Sequence, residues 1–313
     1  MNRFGFIGQR LLQLIPVAIG VTIITFFLIR LIPGDTVTAI LGQHYTPAAA
    51  KALRTEMGLD LPLWQQYLVF AGNLLHGDLG TSAYYSEPVL QLIGERSAPT
   101  IWLVVFASLL ALALAVPIAV LAALHHDGPI DQAIRSVFTV TLAMPAFWVG
   151  IILVLVFSVK LSWFPVTGYG EGFAEHVRHL FLPALTVAFS FTGVLVRSLR
   201  NSILQVMRTD YVETARAKGL SGRRIMLAHI LRNALLSTVT IFGVNIAFLM
   251  GGTVIVETVF ALGGVGQLLT SAIAQRDYAV VQGVTLIIAA FVVTINILTD
   301  FTYALLDPRV SLA

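Results

Sequence analysis

Three places in the sequence gather residue types capable of chemistry. His125, His126 and Asp127 are all potential metal ligands. Consecutive side chains on one short turn do not converge on a single ion, and no other ligand cluster accompanies them, so they read as a solvated turn on the cytoplasmic side. Gly80-Thr81-Ser82-Ala83-Tyr84 places a serine as a nucleophile elbow would, but lacks the closing glycine of that motif. There is no cysteine, which excludes disulfides and thiolate metal sites. A G-x-x-x-x-G-K-[ST] phosphate loop is also absent, so ATP binding or hydrolysis by that route is not expected. The third place is the basic, helix-prone segment DYVETARAKGLSGRRIMLAHILRN, residues 210–233. Its chemistry would be recognition of another surface.

The elements that must carry this segment are hydrocarbon-like. Apolar residues make up 57% of 313 and charged residues 11%, where a soluble domain carries about 25% charged. The reading is an all-α polytopic membrane protein. A spanning helix needs about 20 mostly apolar residues, and six runs qualify, roughly 9–30, 99–124, 134–159, 181–199, 234–259 and 280–305. They are long and continuous, unlike the alternating segments of about 10 residues that build a barrel. The first run follows Arg3 and Arg10 but exceeds a cleavable signal core and precedes no small-x-small site, so it reads as a retained anchor.

Orientation comes from the basic residues. Arg197, Arg200, Arg208, Arg216, Lys218, Arg223, Arg224 and Arg232 crowd the connection between the fourth and fifth runs, against Asp210 and Glu213. That excess belongs in the cytoplasm. Six spans then place both termini there, in keeping with Arg3, Arg10 and Arg309. The segment 31–98 would lie outside as a folded piece, with the expected division being 1–98 and a five-helix core 99–313 holding the cytoplasmic loop 199–233. Within the outer segment, Thr46-Pro47 reads as a helix start and Gly58 as its end. A second helix is expected from Pro62 to near Gly77. It forms either a cap on the helix ends or a docking surface for an external partner.

In the loop, Ile203, Val206, Met207, Tyr211, Val212 and Ala215 recur at helical spacing from about Asn201 to Lys218. Gly219 can take a left-handed conformation, Leu220 is the apolar residue expected after such a cap, and Ser221 can open the next helix. Helix, turn and helix result, with Ala215 and Ala217 offering a surface open to close approach. The residues alone leave several uses open: a protein partner, an interfacial helix on lipid, headgroup binding, or an ordinary positive-inside loop.

The order Glu213, Ala215, Gly219 resembles the EAA loop of ABC-transporter permease subunits, Glu-Ala-Ala, three residues, Gly. Thr214 stands at the first Ala, and Arg232 where a Pro usually lies. RTDYVETARAKGLSGRRIMLAHILRNAL is similar to the dipeptide, oligopeptide, nickel and glutathione branch, which carries Arg-Asn there. The likeness continues through RLLQLIPVAIGVTIITFFLIRLIPGD, GLDLPLWQQYLVFAGNLLHGDLGTS, MPAFWVGIILVLVFS, FPVTGYG, LPALTVAFS and GGTVIVETVFALGGVGQLLTSAIAQRDYAVVQG. Thr36, Gly263 and Ala279 stand at positions where the branch often has Pro. The resemblance implies a multi-pass permease of the bacterial inner membrane. Its coupling residues would be Asp210, Tyr211, Glu213, Thr214, Ala215, Arg216, Ala217, Lys218, Gly219 and Leu220. Partners implied are a second permease, two cytoplasmic ATPase subunits that bind ATP and Mg, and an external solute-binding protein, with no nucleic acid. The permease itself would be no enzyme and hold no cofactor or metal.

Ionisable groups within spans are costly and usually face a cavity or partner. Asn245, Glu257, Asn296 and Asp300 either face a translocation path or, for Glu257 and Asp300, sit at the interfaces. Pro16, Pro117, Pro145 and Pro183 lie in or beside the apolar runs, where they bend helices. Bends at Pro117 and Pro145 are expected near the path, with Met144, Phe147 and Trp148 either lining it or packed on lipid. A secondary transporter would call for deep charges and inverted repeats; a scaffold would explain the loop but not the wider likeness. The cargo expected from the branch is a short peptide, with glutathione or a nickel complex as the alternatives.

Overall fold

The fold comes from a computed structural model that describes residues 12, 15–27, 36–56 and 58–306. Arg3, Arg10, Arg309 and both ends of the first apolar run lie outside the described residues. Elements there are helical: α1 Ile15–Phe27, then α2 Thr36–Leu41, α3 Pro47–Glu56, α4 Leu63–Leu75, α5 Val89–Leu124, α6 Pro129–Ala143, α7 Ala146–Leu153, α8 Phe173–Met207, α9 Asp210–Ala217, α10 Gly222–Arg224, α11 Arg232–Phe260, α12 Val265–Gln275 and α13 Tyr278–Leu306. Among the described residues, α5, α8, Ile241–Phe260 of α11 and Tyr278–Thr299 of α13 are long and apolar enough to cross a membrane, and α6 with α7 adds a fifth if that bent pair is one span.

The chain divides into two compact units. One comprises Met1–Thr100 and Gly263–Val293. Here the expected helix starts and stops of the outer segment are present. Thr46 Oγ1 accepts from the Ala49 N–H at 3.2 Å and so caps α3. At the other end Gly58, at φ +64°, lets the Leu59 N–H reach the Arg54 carbonyl at 2.9 Å. Helix α4 begins after Pro62 and ends before Gly77, at φ +79°. The unit's core joins Val89, Leu92 and Ile93 to Val265, Leu268, Ala272, Val280 and Val284. Gly283 is required there, since a Cβ would stand 2.5 Å from Val89 Cγ1.

The other unit comprises Ile101–Leu262 and Thr294–Ala313. On α5, Leu103, Ala107, Ala111, Ala115, Ala119 and Ala123 repeat every fourth residue and are all buried. Small side chains on one face permit the close helix approach on which membrane association depends. Their core continues through Leu182, Val187, Phe191, Leu195 and Leu199 of α8. Helix α8 has 35 residues, about 52 Å at 1.5 Å each. That exceeds a hydrocarbon core of about 30 Å, so α8 is longer than a span requires, and the next helix, α9, follows its C-terminal end after a short turn.

The apolar run 134–159 bends at Pro145 as expected, and the bend is a full break of the helix. It breaks between α6 and α7, which meet at 103°. Pro145 has no N–H to continue the ladder, and Met144, driven out of the helical region by the proline after it, is extended at φ −85°, ψ 130°. In contrast, α5 runs on through Pro117 and α8 through Pro183.

Candidate coupling interface

The helix expected from Asn201 to Lys218 is interrupted. Helix α8 stops at Met207, and Thr209 is extended at φ −88°, ψ 148° before α9 begins. Thr209 Oγ1 donates back to the Val206 carbonyl at 2.7 Å, tying it to the turn behind. Helix α9 carries Asp210 and Glu213 in its first turn, where negative charge complements the helix dipole. At its far end the Gly219 N–H donates to the Arg216 carbonyl at 2.9 Å and the Leu220 N–H to the Ala215 carbonyl at 3.3 Å, with Gly219 at φ +75°. This is the left-handed cap expected of that glycine. Ser221 begins α10 by backbone conformation without a side-chain cap bond, and a π-helical turn, Ile225–Leu231, joins it to α11.

Burial sorts the segment into a base and a crest. Val212, Ala215, Ile225, Met226 and Ile230 are buried in the core, with Leu220 packed against it. Glu213, Thr214, Arg216, Ala217, Lys218 and Gly219 are exposed, as are Arg223 and Arg224. Ala215 therefore departs from expectation: it faces the chain's own core, because it falls on the same helical face as Val212, and only Ala217 of the two alanines is open to a partner. Asp210 is exposed, and the exposed Tyr211 accepts a bond from Asn233 Nδ2 at 3.0 Å. Beside the crest lies a groove of about 720 Å³ whose wall includes Arg216, Leu220, Arg223 and Leu227 together with Val120 and Met207.

The residues expected near a path are more dispersed. Met144, Pro145 and Phe147 come together at the α6–α7 break, all exposed. Pro117 is exposed on α5 and Asn296 on α13. Asn245 is half-buried and donates to the Ile241 carbonyl at 2.7 Å. Glu257 is fully buried in α11. A buried ion pair is absent from the sequence reading. Arg200 donates from Nε to Asp131 Oδ1 at 2.6 Å and from Nη2 to Oδ2 at 2.5 Å, and Arg135 approaches the same carboxylate at 3.7 Å. In sequence, Arg200 is one more basic residue of the loop. The available signal is Asp131 itself, the sole acidic residue between Asp127 and Glu171, which at the start of an apolar helix requires a partner.

Residues 115–312 match the family described as binding-protein-dependent transport system inner membrane component, and residues 1–109 match the N-terminal family of such membrane components. The chain belongs to this family. Among its relatives, the di/tripeptide transport system permease protein DppB of Pseudomonas aeruginosa is 39% identical, with 98% of each chain covered. The oligopeptide transport system permease protein AppB of Bacillus subtilis is 38% identical over 98% of this chain and 99% of its own. The dipeptide transport system permease protein DppB of Escherichia coli is 36% identical over 97% and 98%. The fold is shared with a chain of the MetNI methionine ABC transporter in an inward-facing conformation, at a TM-score of 0.61 and 16% identity, covering 71% of this chain and 99% of that one.

As a permease of this family the protein works as a membrane component of a transport system, and the helix-turn between α8 and α11 is a built part of it. Its buried base ties the crest to α8 and α11, the two helices with the most extensive mutual packing in that unit.

Proposed function

We propose that this chain forms half of the translocation path of an ATP-driven importer for short peptides in a bacterial inner membrane. It would span the membrane six times with both termini in the cytoplasm and the segment 31–98 outside. The crest Glu213–Gly219 would seat on a cytoplasmic ATPase subunit, which binds ATP and Mg, and the outer surface would receive a loaded solute-binding protein. A second permease would complete the path. The observation that carries the coupling role is the arrangement of the crest: an exposed charged ridge on a buried base, set at the end of a helix too long for the bilayer. The peptide cargo is supported by the names of three relatives that align over nearly the whole chain.

ATP binding would bring the ATPases together, and the two crests with them. Because Val212, Ala215 and Ile230 are packed into the same core as α8 and α11, displacement of the crest moves those helices as well. The path would open outward, then inward after hydrolysis. The chain would act by moving and by lining, without catalysing a reaction. The test is to purify the tagged chain in mild detergent from its own cells and identify what accompanies it in fixed proportion. Two phosphate-loop ATPase chains, or two copies of one, and a second permease are expected, and the accompanying binding protein should bind short peptides. A stable chain that never brings an ATPase would overturn the reading. Glutathione or a nickel complex as the binding protein's sole ligand would overturn the peptide assignment alone.

A further inference from the structure

Helix α4 has a surface at odds with an aqueous setting. Its sequence LWQQYLVFAGNLL contains no charged residue, and none of its side chains is buried within the chain. One face meets α1. Tyr67 and Phe70 lie against Phe26 with ring centroids 5.4 and 5.8 Å apart, and Tyr67 Oη is 2.9 Å from Thr22 Oγ1. Thr22 donates its own proton to the Ile19 carbonyl at 2.9 Å, so Tyr67 is the donor of that pair. A second face is left open. Trp64, Leu68 and Leu75 succeed one another at steps of four and seven, a helical stripe, and are 63%, 59% and 87% exposed; Leu61, just before the helix, is 42% exposed. Gln65, Gln66 and Asn73 fall on the remaining arc.

We propose that this stripe lies in the acyl region of the outer leaflet, making α4 an interfacial helix held against α1 with phospholipid chains as its other partner. The proposal rests on the reading that α1 spans the membrane with 31–98 outside. Depth is what identifies the occupant. Thr22 and Phe26 belong to the apolar run 9–30; at 1.5 Å per residue, Thr22 lies about 8 Å inward of Phe27, the last described residue of α1, against a half-thickness of about 15 Å. A helix whose contacts reach so deep holds its second apolar face at lipid level too. Helix α1 likewise keeps an open apolar face, with Ile24 64% exposed. The hydroxyl pairing fits the same setting, since a phenol carried below the headgroups needs a protein partner. A helix with one broad apolar arc and a polar remainder is also the form that lies in an interface.

The chain has no cysteine, so single cysteines at Leu68, at Ile24 and at Lys51 of α3 can be spin-labelled in the assembled transporter in lipid nanodiscs. Oxygen and a water-soluble nickel chelate are then compared as relaxing agents. Labels at Leu68 and Ile24 are expected to favour oxygen and the label at Lys51 to favour the chelate. If Leu68 behaves like Lys51 while Ile24 favours oxygen, the stripe faces water and the proposal falls, with the spanning role of α1 intact. If Ile24 also favours the chelate, the topology itself is wrong and the proposal goes with it. Shielding of Leu68 from both agents would overturn lipid as the occupant in favour of a protein.

Discussion

Asp131 and Arg200 face each other from α6 and α8 with both carboxylate oxygens engaged. Asp131 is wholly buried and the Arg200 side chain is 10% exposed. Removing one member of such a pair leaves the other charge without compensation, at a cost of about 3–5 kcal/mol. Asp131→Ala is therefore expected to lower the thermal midpoint of the purified protein sharply. The double change Asp131→Leu with Arg200→Met removes both charges and should recover most of that loss. A double variant as unstable as the single one would show that the pair's shape, not its charge balance, matters.

At the level of elements, two contacts hold helices at fixed positions. Gly243 on α11 is so close to α13 that an added methyl would overlap the Thr299 side chain. Gly243→Ala should destabilise by about 1–3 kcal/mol, the usual cost of overpacking, and Thr299→Ala in the same chain should restore part of it; thermal unfolding of the three variants decides. In the other unit, buried Asp277 precedes α13 and accepts bonds from Ser82 Oγ at 2.5 Å and from the Tyr84 N–H at 3.2 Å. The carboxylate thus clasps the loop before α5 to the start of α13. Asp277→Ala strands the buried Ser82 hydroxyl, at about 1–3 kcal/mol for a group left buried without a partner, and frees the Tyr84 N–H to solvent. Hydrogen exchange should then quicken over residues 80–88 before it does elsewhere. Unchanged exchange there would mean that the loop is held by its apolar contacts alone.

For the whole molecule, the proposed function would pass force from an ATPase subunit to the membrane helices through the turn at Gly219. Gly219 sits at φ +75° and its N–H closes the cap of α9. Proline fixes φ near −65° and has no N–H, so Gly219→Pro unmakes the turn. ATP-driven peptide uptake should fall to background through lost coupling or lost assembly. Gly219→Ala meets no neighbouring atom and carries only the left-handed backbone cost of about 1–2 kcal/mol, so it should assemble and keep most of its transport. Normal uptake by the proline variant would remove the coupling role from this turn.

Much of this protein is local, and its local features are readable in the sequence. Apolar runs long enough to cross a bilayer need no tertiary context, because each helix satisfies its own backbone in lipid. Thr46, Gly58, Gly77 and Gly219 mark their caps because those geometries depend on a few adjacent residues. Family membership is legible for a related reason, in that its motifs are contiguous stretches. Contacts between distant residues are not legible. Arg200 has the look of a loop cation until α6 brings Asp131 to it across a sequence separation of 69. Ala215 has the look of open surface until the base of the turn faces inward. Pro145 announces a bend within 134–159, but the 103° between the two halves is set only in the assembled structure. Periodicity says which residues share a face; only the assembled helices decide what that face meets.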